Sequence, residues 1–515
     1  MRKIIPLAIL FLALGAATWA ATEAEQAAER GNTFVKEKNY AEAVTEFSKA
    51  IELDPGEARW YVLRADAHNG MESSDKAIED ASRAIELDPK SAEAYVARGT
   101  ACSRKWLLLR AIEDFDKAIE FDPRNVKAYS SRGLAYCYKK DYIKALEDEN
   151  KAIELNPGQA DLYLCRGNVY LNKHDYDQSI ADCTRALELD PRLATANTIR
   201  GISYYRMRDY NKALADFDKA IEIDPMYVGA YWVRGTVLSH QGEYDRAIEA
   251  YDKALAISPN DPHVLFRRGM AYLRSGDCAK AMEDFDRILR IDPTDTQACV
   301  GRAAAYERTG EYEKAIEQCN KTIEEKPRTL WVYRIRGNVY RDRQQTDLAL
   351  ADYAEAIAKA PEDASAHQAR GMLHFDMGRN REAVEDIGRA IQLYPFEVFP
   401  HVWLFLAEGR LGRGGKPALT EFSKTMKGDD LEMSVVRMFL GEVTPEQCLA
   451  TATHKDPRRD REKKCQAYYY IGQSHLLLGD RERAKQSFKD CLATGLTTFY
   501  EYRSAKAELE RLEKP

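Results

Sequence analysis

Residues 123–157 read PRNVKAYSSRGLAYCYKKDYIKALEDENKAIELNP, a stretch bounded by two prolines that lie 34 residues apart. The same spacing holds for eleven prolines in succession, from Pro55 to Pro395, without an insertion or deletion. A fixed period of this length is typical of helix pairs that stack on one another. One pair cannot bury its apolar side alone, so the period predicts a continuous core shared between neighbouring pairs.

Each repeat has a small residue near the middle of its first helix, here called the small slot. In the quoted repeat it is Gly133, with Tyr129 and Tyr136 on the same helical face. This spacing predicts a first helix near 126–139. The small slots are Gly31, Ala65, Gly99, Gly133, Gly167, Gly201, Gly235, Gly269, Ala303, Gly337 and Gly371.

The second half of the repeat predicts an amphipathic helix near 142–155. Ala145 and Ala152 lie on one face of this helix, and most repeats carry alanine at both places. Pro157 lacks a backbone N–H and blocks the continuation of the helix. Each unit is therefore predicted to be a helix, a tight turn, a second helix and a stop.

An aromatic–small–aromatic first helix followed by an alanine-rich second helix resembles the tetratricopeptide repeat (TPR) family. The resemblance covers residues 22–395 as eleven repeats. It implies an all-α fold, namely a right-handed TPR superhelical solenoid of eleven 34-residue helix-turn-helix repeats with a C-terminal helical capping region at 396–515. It also implies that the first helices line the concave face.

One column departs from the family pattern, because the residue before the small slot is arginine in all eleven repeats. Stacked guanidinium groups suit phosphate or carboxylate, so polyanion binding is one interpretation. The other is an ion-pair ladder, which we favour because an acid stands sixteen residues after the arginine in nine repeats. These acids are Glu46, Asp80, Asp114, Asp148, Asp182, Asp216, Asp284, Asp352 and Asp386.

The bulk composition argues against several functional classes. The net charge is −7 over 515 residues, and no basic block stands out, so we expect no nucleic-acid partner. The chain has no glycine-rich phosphate loop, nucleophile elbow, HExxH or CxxC motif. We therefore expect no enzyme activity, no catalytic residues, no cofactor and no metal site.

The N-terminus predicts export. Met1, Arg2 and Lys3 precede a short apolar run and small residues that end at Ala20, the pattern of a secretory signal peptide at 1–20. Cleavage after Ala20 would leave no stable membrane span in the mature chain. The alternative is an uncleaved N-terminal anchor.

All ten cysteines lie downstream of the predicted leader. In an exported protein some of them are candidates for oxidation. Cys299 and Cys319 fall on facing helices of one repeat, where a bridge is one interpretation and two buried thiols are the other.

Partners are expected on the concave face, at positions that the packing columns do not use. In the middle repeats these positions are unusually apolar, which favours an extended or helical peptide. The alternative is that these side chains pack across the superhelix or against the C-terminal segment. The predicted partner-binding residues are Leu134, Leu164, Asn168, Leu171, Ile202, Tyr205, Trp232, Phe266, Met270 and Leu273.

A second predicted contact site is the turn that contains Trp106 and Leu107. Other repeats place polar residues in this turn, whereas here both side chains are expected to point to solvent. Such an apolar turn suits a partner protein or a second copy of the chain, so a homodimer stays an open alternative.

The repeat register is expected to fail after Pro395, with a helix that restarts two residues late around Trp403 and Ala407. Residues 428–464 are expected to be irregular and charged, and a divergent TPR-like pair follows around Gly472.

Residues 396–512 resemble the C-terminal region of periplasmic TPR lipoproteins of the NlpI type, with Tyr468 to Gly472 among the matching residues. That resemblance implies an exported, periplasmic scaffold that docks cell-wall hydrolases or a protease. The alternatives are a luminal TPR cochaperone of the eukaryotic secretory pathway and an accessory factor or enzyme of envelope biogenesis.

Overall fold

The computed structural model describes residues 22–326, 330–395, 397–425, 430–455, 457–497 and 499–513. Within these ranges every regular element is an α-helix. The predicted signal peptide at 1–20 and Pro327 lie outside the described residues. The chain divides into two compact units, Met1–Ser258 and Pro259–Pro515, here called unit 1 and unit 2.

Unit 1 contains seven consecutive helix pairs from residue 22 onward, which we number repeats 1 to 7. Where neighbouring first helices contact each other, they form a continuous surface, here called the first-helix face. The helices are α1 (22–36), α2 (Tyr40–Leu53), α3 (Ala58–Gly70), α4 (Ser74–Leu87), α5 (Ala92–Arg104), α6 (Leu108–Phe121), α7 (Val126–Tyr138), α8 (Tyr142–Leu155), α9 (Ala160–Asn172), α10 (Tyr176–Leu189), α11 (Ala194–Arg206), α12 (Tyr210–Ile223), α13 (Val228–His240) and α14 (Tyr244–Ile257).

Unit 2 begins with repeats 8 to 11 and ends in further helices that close its core. The helices are α15 (Pro262–Ser275), α16 (Cys278–Ile291), α17 (Thr296–Thr309), α18 (Tyr312–Glu325), α19 (Leu330–Asp342), α20 (Thr346–Lys359), α21 (Ala364–Asp376), α22 (Asn380–Leu393), α23 (Val398–Arg410), α24 (Lys416–Thr425), α25 (Leu431–Leu440), α26 (Pro445–Ala450), α27 (Pro457–Leu477), α28 (Arg481–Ala493) and α29 (Tyr500–Glu513).

The small slots allow the second helix of a repeat to pack closely on the first. A Cβ atom at Gly99 would lie 2.7 Å from the ring of Phe115, and one at Gly337 would lie 2.8 Å from the ring of Tyr353. These separations are shorter than a favourable carbon–carbon contact. The predicted role of the small slot in close helix approach is confirmed.

The arginine column forms the predicted ion-pair ladder. Each of the nine acids contacts the arginine of its own repeat, with nitrogen–oxygen distances of 2.6–2.7 Å. Most pairs are bidentate, as where Nε and Nη2 of Arg200 donate to Oδ2 and Oδ1 of Asp216 at 2.9 and 2.7 Å. The two parallel bonds fix the second helix against the first.

The same arginines also connect neighbouring repeats. Nη1 of Arg132 reaches Asp116 of the preceding repeat at 2.5 Å. Arg234, whose own repeat lacks the acid, pairs through Nε with Asp218 of the preceding repeat at 2.7 Å. The column therefore stabilises both the repeat and the junction between repeats, which explains its persistence where the local acid is missing.

The register beyond Pro395 differs from the expectation. Helix α23 begins at Val398, which is one full period after the first residue of α21, so the predicted late restart is wrong. The sequence signal fades because Leu404 and Phe405 replace the arginine and the small slot. The departure from the repeat comes one helix later, where α24 has only 10 residues.

Residues 431–450 are also more regular than expected. Helices α25 and α26 lie in this stretch, and α25 buries most of its apolar side chains. The core of unit 2 continues from the last repeat into these helices, since Phe375 and Ile387 share one buried cluster with Trp403, Tyr469 and Phe488. The last repeat and the C-terminal helices thus fold as one packed body.

Candidate functional site

The predicted partner-binding residues lie on first helices, at different depths. Leu273 is only 3% exposed, which corrects the expectation that it faces an open groove. It lines a cavity together with Phe499 of the C-terminal segment, as the packing alternative predicts. The half-buried members are Leu134, Leu164, Asn168, Leu171, Ile202, Tyr205, Trp232, Phe266 and Met270.

Trp232 packs against buried residues and also forms part of the surface. It is half-buried and, like Ile202 and Tyr205, lies against a buried cluster that contains Phe217 and Val237. Phe266 in unit 2 is likewise half-buried, with its ring 5.9 Å from the buried ring of Phe285. These side chains offer only part of their surface to a partner.

A cavity of about 650 Å³ opens on the first-helix face of unit 1 and is here called the Trp106 cleft. It combines two predicted residues from different elements, Trp106 and Leu134, with polar side chains of repeats 2 to 4. Its remaining lining residues are Glu72, Ser74, Thr100, Ser103, Arg104, Phe115, Ser131 and Tyr138.

Trp106 has the left-handed backbone conformation that the equivalent turn residues of the other repeats also adopt. Its φ is 59°, in the left-handed region, where the equivalent residues include Lys140, His174 and Gly242. A bulky side chain costs about 1 kcal/mol or more in this region. The indole is nevertheless 69% exposed and lies 5.2 Å from the ring of Tyr138. Because the equivalent residues share this φ, the conformation belongs to the turn of the repeat, and what distinguishes Trp106 is its large exposed side chain.

The turn around Trp106 is apolar over several residues. Leu107 is 45% exposed and Leu109 is 68% exposed, as the expected solvent-facing turn requires. Ile143, at the place equivalent to Leu109 in the next repeat, is also exposed. Large exposed apolar side chains along one edge mark an interaction surface.

The polar wall of the cleft has both charges and an unused donor. Nη1 of Arg104 lies 3.5 Å from Oε1 of Glu72 in the preceding repeat, and outside the cleft lining Lys105 forms an ion pair with Asp75. The buried hydroxyl of Ser103 finds no hydrogen-bond partner among the described residues. A buried polar group without a partner is costly, so a ligand atom there would be favoured. The arrangement suits binding of a mixed apolar and polar segment.

In unit 2 the first-helix face is covered in part by the C-terminal helix. The hydroxyl of Tyr500 donates to the backbone oxygen of Met372 and to Asp376, both at 2.8 Å. Ser504 donates to the same carboxylate at 3.0 Å. Burial raises the pKa of Asp376 to about 6, although both hydroxyls favour its charged form. Helix α29 is therefore an internal occupant of this surface.

Models of known protein families match the helix pairs described above. Models described as tetratricopeptide repeat match residues 28–92, 115–147, 160–193, 198–262, 234–305, 296–329, 364–397 and 466–494, and one described as TPR repeat matches residues 337–378. Together these matches span more than half of the chain.

The chain belongs to the tetratricopeptide repeat family.

Solved TPR structures are similar at low identity. Yeast Tom70 shares 16% identity, with a TM-score of 0.46 over 85% of this chain and 98% of Tom70. A tetratricopeptide repeat protein from Parabacteroides merdae shares 20%, with a TM-score of 0.45 over 48% of this chain and 98% of that one. YrrB, a TPR protein with an unusual peptide-binding site, shares 26%, with a TM-score of 0.28 over 36% of this chain and 97% of YrrB.

TPR proteins bind protein or peptide segments, and the repeat scaffold seen here is consistent with a protein-binding adaptor. None of the family matches indicates an enzyme. Among the described residues, no group of three or more His, Cys, Asp or Glu side chains is placed to hold a metal ion. No helix in the described ranges has the length and hydropathy needed to cross a membrane.

The cysteines of this TPR chain are free thiols in the structure. Cys299 and Cys319 are both buried and unbonded, in line with the second of the two interpretations. A different pair comes closer, because the Sγ atoms of Cys465 and Cys491 lie 3.5 Å apart in the core of unit 2. The two cysteines are 26 positions apart in sequence, and no sequence pattern indicated that they would be in contact.

Sequence reasoning missed the residues that surround the predicted ones. Arg104 and Tyr138 occupy one repeat position, five residues after the small slot, in repeats 3 and 4. The same position carries charged residues throughout unit 2, so reading it as a column would have revealed it. Tyr500 and Arg503 of the C-terminal helix, which contact first helices of unit 2, had no such signal, because they lie outside the 34-residue period. The likeness of residues 396–512 to NlpI stays a prediction.

Proposed function

We propose that this TPR protein is an exported, non-enzymatic adaptor that binds a segment of a partner protein on its first-helix face. The exposed Trp106 at the mouth of an open cleft is the observation that carries the proposal. An exposed tryptophan beside further apolar side chains is a typical centre of a protein interface. Because the cleft also has polar walls, we expect a segment with both apolar and hydrogen-bonding groups.

Two sequence features support an envelope location. The segment from Met1 to Ala20 has the pattern of a secretory signal peptide. The likeness of residues 396–512 to NlpI supports a role in docking cell-wall hydrolases or a protease in the bacterial envelope. Under this proposal the chain brings an enzyme to its site of action and performs no hydrolysis itself.

Capture of partners from an envelope extract tests the adaptor. The purified chain and its Trp106→Gly variant are compared, with Met226→Ala as the control because Met226 is 66% exposed and does not line the cleft. Glycine keeps the left-handed turn, so the variant should fold. We expect hydrolases or a protease with the native chain and the control, and their loss with Trp106→Gly.

Equal capture by all three proteins would contradict the role of the cleft. Light scattering on the same samples separates a partner surface from a self-association surface, because only the latter changes the mass of the isolated protein. Peptidoglycan hydrolysis by the purified chain alone would support the enzyme alternative. Trp232→Ala, which removes a half-buried ring, should weaken capture less than Trp106→Gly.

Export is tested by sequencing the N-terminus of the mature protein after cell fractionation. We expect a chain that begins at Ala21 in the exported fraction. An intact chain that starts at Met1 and stays in the cytosolic fraction would refute export. A full-length chain in the membrane fraction would support the uncleaved anchor.

A further inference from the structure

One column of charged residues follows the first-helix face of unit 2. It lies five residues after the small slot and at the equivalent place in α23. In chain order the column reads Arg274, Arg308, Asp342, Asp376 and Arg410. Since each residue ends or nearly ends its first helix, the column lies along one edge of the face.

Helix α29 matches the last three members of this column with groups of complementary chemistry. Asp342 receives a guanidinium, Asp376 receives two hydroxyls, and Arg410 receives a carboxylate. The pairs are Arg503 Nη1 with Asp342 Oδ1 at 2.5 Å, Tyr500 and Ser504 with Asp376 at 2.8 and 3.0 Å, and Glu508 with Arg410. The charges of the column therefore favour side chains of complementary charge or hydrogen-bonding capacity on the helix that packs on it.

The first two members of the column have no such match. Arg274 and Arg308 form no ion pair with any carboxylate in the described parts of the chain. Both line a cavity of about 390 Å³, which is also lined by Phe499 and by the first turn of α29 through Tyr500, Glu501 and Arg503. Met270 and Leu273 add an apolar wall. The cavity thus continues the path of α29 toward two unmatched cations.

A buried group at the same cavity also lacks an acceptor. Nε of Arg503 is buried and has no hydrogen-bond partner among the described residues, although Arg503 lines the cavity. Burial lowers the pKa of this guanidinium from its ordinary value, which reflects the cost of holding the charge there. An acceptor oxygen entering the cavity would offset that cost.

We propose that this cavity receives the acidic side chains of a partner segment, with Arg274 and Arg308 as its two cationic contacts. The segment continues the line of α29, as a helix with carboxylates on the face that meets the column. Side-chain carboxylates are the expected source, because α29 itself presents Glu508 to Arg410 in this way. The inference rests on the proposed function only in that the first-helix face binds protein segments.

Glu307 also lines the cavity and would repel a carboxylate if fully charged. Burial raises the pKa of Glu307 above its ordinary value, and the nearby Asp342 adds to the shift, so the charged form of this carboxyl is disfavoured in the cavity. Arg308 and Arg341 line the same cavity and keep the local charge positive.

Fluorescence anisotropy with a labelled, alanine-based helical peptide tests the proposal. The peptide has blocked ends and glutamates along one face, and a matched peptide carries glutamine at those places. We expect the native chain to prefer the glutamate peptide, and the double variant Arg274→Gln/Arg308→Gln to bind it about tenfold more weakly. Neither arginine has an ion pair to lose, so circular dichroism should show an unchanged fold.

The control is Arg206→Gln, which changes the same repeat position in unit 1 and should leave the affinity unchanged. Equal binding of both peptides, no binding of either by the native chain, or native affinity of the double variant would each overturn the proposal. Trp106→Gly should bind the glutamate peptide as the native chain does. Loss of partner capture with that variant and loss of peptide binding with the double variant therefore report on separate sites.

Discussion

Removing the carboxylate of Asp216 should destabilise repeat 6 more than any exposed ion-pair change nearby. Asp216 lies on α12 and accepts two hydrogen bonds from Arg200 of α11, at 2.9 and 2.7 Å. In Asp216→Ala the guanidinium would keep only the hydroxyl of Thr184, at 3.2 Å. It would then lie half-buried without a counter-charge.

The size of the effect follows from the exposure of the two partners. Breaking a fully buried ion pair by removing one partner costs about 3–5 kcal/mol. The Arg200 side chain is 21% exposed and that of Asp216 is 10% exposed, so water screens part of the charge. We therefore expect Asp216→Ala to cost about 2–3 kcal/mol in local unfolding free energy.

Asp148→Ala supplies an internal comparison. Its partner Arg132 also contacts the carboxylate of Asp116, at 2.5 Å, so one counter-charge survives the substitution. We expect a cost of about 1–2 kcal/mol, below that of Asp216→Ala. The difference between the two variants separates the loss of charge compensation from the loss of side-chain packing.

Native-state hydrogen exchange followed by mass spectrometry measures these costs, because repeats open locally rather than as one unit. Amides of α11 and α12 should lose about 30- to 150-fold of their protection in Asp216→Ala. Glu188→Ala is the control, since the Arg185–Glu188 pair has the same 2.7 Å separation but lies at the surface. If Asp216→Ala lowers protection no more than Glu188→Ala does, the ladder contributes nothing to stability.

Three further outcomes are expected. Burial raises the pKa of Glu149 to about 8 from its ordinary 4.5, so the stability that its protonation provides is full below about pH 4.5 and is lost as pH rises through about 8. Urea unfolding of Glu149→Gln should lack this loss, and a native chain with flat stability over that range would contradict it. If the protein is exported to an oxidising compartment, Cys465 and Cys491 should form a disulfide, which non-reducing peptide mapping detects. A reduced pair of thiols in the exported protein would refute this expectation. Trp106→Gly should change the free energy of unfolding by only about 0.5 kcal/mol, because released backbone strain offsets the lost ring contact. A large decrease in the unfolding free energy measured by calorimetry would mean that Trp106 serves stability.

The arginine ladder shows what a periodic sequence can predict. The sixteen-residue spacing placed nine acids opposite nine arginines, and all nine pairs are present. This works because both partners belong to one helix pair, whose geometry is repeated eleven times. The same reasoning failed at α23, where the helix keeps its register although Leu404 and Phe405 no longer carry the sequence pattern.

The candidate site was predictable only in part, for a related reason. Trp106 and Leu134 stand out against the repeat pattern, and the structure brings both to one cleft. Periodicity alone did not decide between an open groove and the packing alternative for Leu273, which shares a cavity with Phe499, more than two hundred residues away. Periodicity describes neighbours along the chain and carries no information on such a contact.

The amino-acid sequence was sufficient to establish the family, the helix pairs, the packing columns and the ion-pair ladder, because each of these depends on contacts within or between adjacent repeats. The tertiary structure was needed to place α29 on the first-helix face of repeats 10 and 11 and to leave Arg274 and Arg308 unmatched. Those features depend on long-range packing of helices that follow no period, where burial and charge pairing, rather than spacing, select the arrangement.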